Sequence, residues 1–271
     1  MEDPQDIEIQ LLIEAVYHRW GYDFRAYSKA HIKRRVLHHL SKSGLESVSH
    51  LQHQILYNKN SFFEFFQDLS INTTEMFRDP LFFLSLREKV LPLLKDQAGF
   101  KIWHAGCASG EEVYSMAIML LEEGLLDRCQ IYATDFNPVT LKKAREAIYS
   151  LSEMKVNSSN YLKSGGKATL SDYYHARYNS AIMEKSLRDR IVFAEHNLVT
   201  DDVFGEMELV ICRNTLIYFT KELQNRVLRL FYNSLGEGGF LCLGSKESLA
   251  FSDYQNVFDP FISKWKIYRR K

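Results

Sequence analysis

From Lys101 onward, short apolar runs alternate with helical segments, and that alternation leaves few folds open to the chain. The runs at 100–104, 130–134, 190–194, 207–212 and 239–243 read as strands, and 111–123, 138–147 and 220–235 carry helical spacing between them. Strands separated by helices pair mostly in parallel and bury both faces, so this half predicts an α/β sheet. The first 95 residues read differently. Apolar residues recur at helical spacing through Ile9, Leu12, Ile13, Val16 and Trp20, then through Ile32, Val36 and Leu40. Gly44 stops the second run, and further helices fit 46–57 and 60–70. A length of 271 residues, 46% of them hydrophobic, suits one or two domains with a sizeable core. The stretch from 157 to 193, with Gly165-Gly166 and a Tyr/Ser/Asn-rich run, breaks the alternation and predicts a small inserted β subdomain.

Charge and cysteine usage exclude several classes. The formal net charge is zero, so no global field draws the chain to nucleic acid or a membrane. No apolar stretch approaches a membrane span, and Met1-Glu2-Asp3-Pro4 does not read as a signal peptide. Cys107, Cys129, Cys212 and Cys242 form no C-x-x-C pair. Reduced thiols in a cytoplasmic protein are expected, with no metal site.

The loop Ala105-Gly106-Cys107-Ala108-Ser109-Gly110 ends the first strand and opens directly into a helix. It lacks both G-x-G-x-x-G and G-K-[ST], and Glu111 and Glu112 at the helix start would repel a pyrophosphate. NAD, FAD and ATP are therefore disfavoured. A nucleoside carrying positive charge reverses that argument, and S-adenosyl-L-methionine carries a sulfonium and an α-ammonium. Asp135, ending the next strand, stands where an acidic residue takes ribose hydroxyls. Each acid also has a plain structural reading, as a complement to a helix N-terminus or as a cap. At the other end, Leu235-Gly236-Glu237-Gly238-Gly239-Phe240 turns tightly into a strand, and Phe261 to Tyr268 reads as a late reversed strand at the sheet edge.

Four ordered motifs carry a specific resemblance. Asn72-Thr73-Thr74-Glu75-Met76-Phe77-Arg78-Asp79 resembles the N-x-T-x-F-F-R-D signature of the CheR family, the chemotaxis-receptor glutamate methyltransferases, with Met76 in place of the first phenylalanine. Ala105–Ser115 resembles its cofactor loop, Ala133-Thr134-Asp135 its ribose-binding strand, and Cys212–Phe219 its C-R-N-x-L-I-Y-F segment. The closing GEGGFLCLGSKESL also fits, and the likeness runs from about residue 8 to the C-terminus.

The resemblance implies an N-terminal all-α domain with its linker over residues 1–80. A Rossmann-like class I methyltransferase domain would follow over 81–271, with the small antiparallel β subdomain inserted. It implies methyl transfer from S-adenosyl-L-methionine, with S-adenosyl-L-homocysteine as product, to glutamate side chains on cytoplasmic helices of chemoreceptors. By motif position Asn72, Thr74 and Arg78 would contact the cofactor, with Gly106, Glu112, Asp135, Asn197, Leu198, Arg213 and Asn214. Glu112 is preferred to Glu111 by its spacing to Arg78. An Arg78 guanidinium suits the methionine carboxylate, and Asp135 suits vicinal hydroxyls. Asn197 and Asn214 could each serve the adenine edge or the amino-acid end. Tyr218 reads equally as a group that orients the incoming carboxylate and as a wall tyrosine. A glutamate is already ionised at neutral pH, so no catalytic His or Cys is required; His104 and His196 read as structural.

Residues 17–42 hold Arg19, Arg25, Lys29, Lys33, Arg34, Arg35 and Lys42 against Asp23 alone. A helical wheel sets Arg35, His38, His39 and Lys42 opposite Ile32, Val36 and Leu40. Arg35, His38 and Lys42 are thus expected to face outward and dock an acidic receptor helix; a merely solvated face is the bland alternative. No heptad or exposed apolar stripe stands out, so a monomer is expected. Two rivals remain: a nucleic-acid methyltransferase, which would need a [DN]-P-P-[YFW] box that Arg213–Tyr218 does not supply, and a decayed cofactor-binding module.

Overall fold

The computed structural model describes residues 3–70 and 74–271. Two compact units emerge, one made of residues 1–71 and 217–226, the other of 72–216 and 227–271. The boundary therefore falls ahead of the expected residue 80, and a later segment joins the helical unit.

Among the described residues the first unit is built of α1 (Pro4–Trp20), α2 (Lys29–Ser43), α3 (Val48–Tyr57) and α4 (Lys59–Leu69), joined by the start of a later helix at residues 221–226. Asp3 caps α1 by accepting from the Gln5 amide, and Gly21 ends it at φ +80°. The core is the predicted apolar spacing made real, with Leu12, Val16, Ile32, Val36, Leu51, Ile55, Phe62, Phe65 and Phe66 all buried. Trp20 stacks on Phe62 at 4.4 Å between ring centroids.

The second unit opens with α5 (Pro80–Ser85), a π-helical turn and α6 (Leu91–Leu94). There follow β1 (Phe100–Ala105), α7 (Glu111–Glu122), β2 (Cys129–Asp135), α8 (Pro138–Glu146), β3 (Ile148–Ser150) and α9 (Leu151–Lys163). Next come β4 (Tyr174–Arg177), β5 (Ser180–Met183), α10 (Lys185–Arg188), β6 (Ile191–Glu195) and β7 (Met207–Cys212). The chain closes with α11 (Lys221–Ser234), β8 (Leu235–Leu243), β9 (Phe258–Ile262) and β10 (Ile267–Arg270).

Seven strands form one sheet in the order β6-β2-β1-β7-β8-β10-β9. The pairings among β6, β2, β1, β7 and β8 are parallel, and β10 runs antiparallel to both β8 and β9. β1 and β7 are buried at nearly every position, as a sheet covered on both faces demands. The C-terminal ends of β1, β2 and β7 therefore open together on one rim, which is where an open α/β sheet takes its ligand.

The inserted subdomain corrects the expected limits of 157–193. Its three-stranded antiparallel sheet runs β3-β5-β4, so it begins at Ile148, and residues 151–163 are helix. The polar run Asn157-Ser158-Ser159-Asn160 disguises that helix. It starts from a capping box in which Ser150 and Glu153 satisfy each other's amides, and it buries Met154, Asn157 and Tyr161. At the far end, Ile191–Glu195 belongs to the main sheet.

Candidate active site

The loop after β1 is built for close approach. The Gly106 and Cys107 amides both donate to the Thr134 carbonyl, at 2.8 and 2.9 Å, drawing the ends of β1 and β2 together. Gly106 has φ +78°, and a Cβ there would lie 2.8 Å from Thr215 Oγ1, so only glycine fits beside the segment after β7. Asp135 is 7% exposed; its Oδ2 accepts from the Ala108 amide at 2.9 Å and its Oδ1 from the Asn137 amide at 3.0 Å. Burial raises the pKa of its carboxyl, against the pull of these amides, and each oxygen keeps lone-pair capacity for a ligand hydroxyl.

The paired glutamates take different fates. Glu111 folds back onto the Ser109 hydroxyl, 2.9 and 2.8 Å from its two oxygens, and burial pushes its carboxyl up to about 7. Glu112 accepts from Arg213 Nη1 at 2.8 Å, and its other oxygen lies 3.4 Å from His104 Nδ1. Burial would raise Glu112 as well, but Arg213 and then His104 outweigh it and hold the carboxyl below its ordinary value.

Arg213, expected from its motif to contact the cofactor, is held among protein groups. Its side chain is 2% exposed and ion-paired to Asp79 as well as to Glu112. Nη1 also donates to the Arg78 carbonyl at 3.3 Å, and the guanidinium lies 4.1 Å over the Phe82 ring. Its fork is taken up in binding the Arg78–Asp79 segment to the start of α7, the task of a strut. The same segment is held at two further points. The Phe77 amide donates to Ser115 Oγ at 2.8 Å, and the Met76 amide donates to Asn157 Oδ1 at 3.1 Å. Phe77 and Asp79 both adopt left-handed backbone, at φ +53° and +57°, conformations that persist where several contacts fix them. Met76, the departure from the family signature, is fully buried, where an unbranched thioether fills the space of a ring.

Other candidates are placed as follows. Asn72 lies outside the described residues, and Thr74 is half-buried. Asn197 caps its own turn: its Oδ1 accepts from the Val199 amide at 3.0 Å, and its amide donates to Asp201 at 2.9 Å. Leu198 beside it is buried. Asn214 sits at φ +61° with its amide donated to Glu247 Oε2 at 3.0 Å. Glu247 lies in the closing segment GEGGFLCLGSKESL that fits the family, but the sequence pattern assigned it no role at the site.

In the helical unit, Tyr218 lies against His31 with ring centroids 4.4 Å apart, and its carbonyl accepts from the Ser28 amide at 2.8 Å. Burial, then Arg34 and Arg35, lower the pKa of His31 to about 4, so it is neutral at physiological pH. The expected outward face of α2 is corrected. Arg35 Nε donates to the Asp68 carbonyl at 2.5 Å, Lys42 Nζ reaches both Asp68 oxygens at 3.0 and 3.1 Å, and His39 Nδ1 lies 2.7 Å from Oδ2. Positions 35, 39 and 42 share one stripe of the helix, and that stripe meets the last turn of α4. Lys29, Arg34 and His38 are exposed, and Lys42 keeps 62% of its side chain in solvent.

The acceptor-rich rim fits a cationic nucleoside: Asp135 and Glu112 offer carboxylate oxygens, Gly106 leaves room, and no G-K-[ST] amide cradle follows the loop. Among the described residues no His/Cys/Asp/Glu group could hold a metal ion, and no helix is long and apolar enough to cross a membrane.

Family models and sequence relatives agree with this reading. Residues 72–267 match the family model described as CheR methyltransferase, SAM binding domain, and residues 7–70 match CheR methyltransferase, all-alpha domain. A Pseudomonas putida protein carrying the name Cher3 is 52% identical, over 98% of this chain and 97% of that one. A Listeria innocua protein named chemotaxis protein methyltransferase is 31% identical, over 84% and 85%. The crystal structure of the glycopeptide N-methyltransferase MtfA with S-adenosyl-L-methionine overlaps 59% of this chain and 53% of that one, at 10% identity and a TM-score of 0.37. Fold and site together define an S-adenosyl-L-methionine-dependent methyltransferase. The chain belongs to the CheR methyltransferase family.

Proposed function

We propose that this chain esterifies glutamate γ-carboxylates on the cytoplasmic helices of chemoreceptors, acting as a cytoplasmic monomer. The observation that carries the acceptor class is the charge on α2. In a chain with no net charge, this helix exposes Lys29, Arg34, His38 and Lys42 along its length, a surface suited to an acidic helix. The names of the relatives point the same way.

When bound, S-adenosyl-L-methionine supplies an electrophilic methyl on a sulfonium sulfur. The chain's own residues hold and orient. Asp135 would take the ribose hydroxyls, and Glu112, fixed by Arg213, would present acceptor capacity to the α-ammonium. Arg78, on a backbone pinned by Ser115, Asn157 and Arg213, would grip the methionine carboxylate. Thr74, Gly106, Asn197, Leu198 and Asn214 would complete the wall. A glutamate side chain, with a pKa of about 4.3, arrives ionised, so positioning and exclusion of water do the work that a base does elsewhere. The test is incubation with methyl-labelled cofactor and receptor-bearing membranes. Base-labile label on receptor is expected; label in nucleic acid, or base-stable label, would contradict the reading.

A further inference from the structure

We propose that Glu247 is a positioning residue for Asn214, an inference that rests on the assignment of Asn214 to the cofactor. Glu247 is 4% exposed, and its Oε2 accepts from two backbone amides, that of Asn214 at 3.0 Å and that of Gly244 at 2.6 Å. Its own amide donates back to the Gly244 carbonyl at 2.9 Å, which closes the turn. Asn214 follows the C-terminal end of β7, and Gly244 follows that of β8; the strands are parallel, with Cys212 opposite Leu243. One carboxylate oxygen thus clips together two neighbouring strand ends on the ligand-facing rim of the sheet.

The parts of this clip depend on one another. Asn214 stands in the left-handed region, which asparagine tolerates better than most residues but which its neighbours must hold. A Cβ on Gly244 would lie 2.8 Å from the Asn214 nitrogen, 2.8 Å from Glu247 Oε2 and 3.1 Å from Asn214 Nδ2. Gly244 gives the room, Glu247 gives the acceptor, and Asn214 takes the resulting backbone direction. Two backbone amides converge on one carboxylate oxygen, an arrangement that only an oxygen with both lone pairs open can accept. A neutral amide at 247 keeps the shape of the side chain but loses the charge and one acceptor oxygen.

The test is calorimetric S-adenosyl-L-homocysteine affinity of the full chain, with melting temperature and the two Michaelis constants measured alongside. Glu247→Gln should weaken the product complex by about 5–30-fold and raise KM for the cofactor, leaving KM for the acceptor unchanged. In an Asn214→Ala background the same change should add less than about twofold, because both act through one contact. Gly244→Ala crowds the same turn from the other strand and should reproduce the loss if Glu247→Gln folds poorly. An unchanged affinity for Glu247→Gln with a lowered melting temperature would leave Glu247 merely structural and overturn the proposal. So would losses that add in full. Should Asn214→Ala itself bind product as well as the parent does, the assignment of Asn214 fails instead.

Discussion

Two charge clusters in this molecule are built on opposite stoichiometries. In the methyltransferase unit one cation, Arg213, is shared by two carboxylates, Asp79 and Glu112. In the helical unit one carboxylate, Asp68, is shared by Lys42 and His39, while Arg35 donates to its carbonyl. The first cluster is left with surplus negative charge and the second with surplus positive charge. A neutral chain has separated its charges in the senses that a cationic cofactor and, on the proposed function, an acidic acceptor require. The burial differs too: the Arg213 side chain is 2% exposed and that of Lys42 is 62% exposed, so salt and substitution should act on them unequally.

Removing the central cation should give the largest effect. Arg213→Met leaves Glu112 with only His104 beside it in a buried setting and removes one of the ties on the Arg78–Asp79 segment. The expected cost is about 3–5 kcal/mol of stability by denaturant unfolding, with loss of measurable cofactor binding. Pairing it with Glu112→Gln should recover part of the stability but not the binding. A single variant as stable as the parent would show that Arg213 is no strut.

Glu111 sharpens the contrast, because it shares the loop with Glu112 but has no cation as partner among its principal contacts. Its carboxyl stands at about 7 in the folded chain against an ordinary 4.5, chiefly through burial; Glu153 raises it further, while Ser109 and Lys143 lower it. An acid whose folded pKa is raised opposes folding once ionised. That penalty is absent below about pH 4.5, grows between 4.5 and 7, and is complete above 7. Glu111→Gln should therefore stabilise the protein by up to about 3 kcal/mol at pH 8 and by little at pH 4.5. Melting curves across that range check the sign, and a gain confined to acid pH would refute it.

Asp68 offers a smaller effect of opposite pH sense. Burial alone would raise its pKa, but the bonds from His39 and Lys42 hold it below the usual carboxylate value, so it stabilises the fold above its unfolded pKa. That contribution is lost as pH falls through the depressed folded value. Asp68→Asn should cost about 1 kcal/mol at pH 7 and almost nothing near pH 2. On the proposed function it should also lower the acceptor KM by about two- to threefold, since Lys42 would no longer be shared with an internal carboxylate. A raised acceptor KM would mean that the cluster serves the fold alone.

What was legible in the sequence follows the range of the forces involved. The runs at 100–104 and 130–134 lie inside β1 and β2, and the run at 207–212 is β7, because burial on both faces writes a continuous apolar signal. The closing apolar segment, Phe261 to Tyr268, was expected as one reversed edge strand and is two: β10 runs antiparallel to β8, while β9, antiparallel to β10, takes the edge and runs with the parallel set, the turn Ser263–Trp265 dividing them. The helix at 151–163 was hidden because its signal is one capping box ahead of a polar run. On α2 the periodicity of Ile32 and Val36 was sound, yet pattern alone cannot show that a buried face also admits Arg35 and His39 when an aspartate lies opposite. Arg213 could be recognised as a motif residue but not as a strut, because Asp79 and Glu112 lie far from it in sequence. Glu247 sits in a segment that fits the family, but only the approach of β7 and β8 gives it a role.

Salt dependence tests the central claim most directly, because it addresses both clusters in one protein. Raising the salt from about 50 to 300 mM shortens the screening length below 10 Å and weakens exposed pairs far more than buried ones. The acceptor KM for receptor methylation should rise several-fold, and Arg34→Ala should flatten that rise. The S-adenosyl-L-homocysteine dissociation constant should change by less than about twofold. An acceptor KM indifferent to salt, with cofactor affinity collapsing instead, would contradict the division of charge on which this account rests.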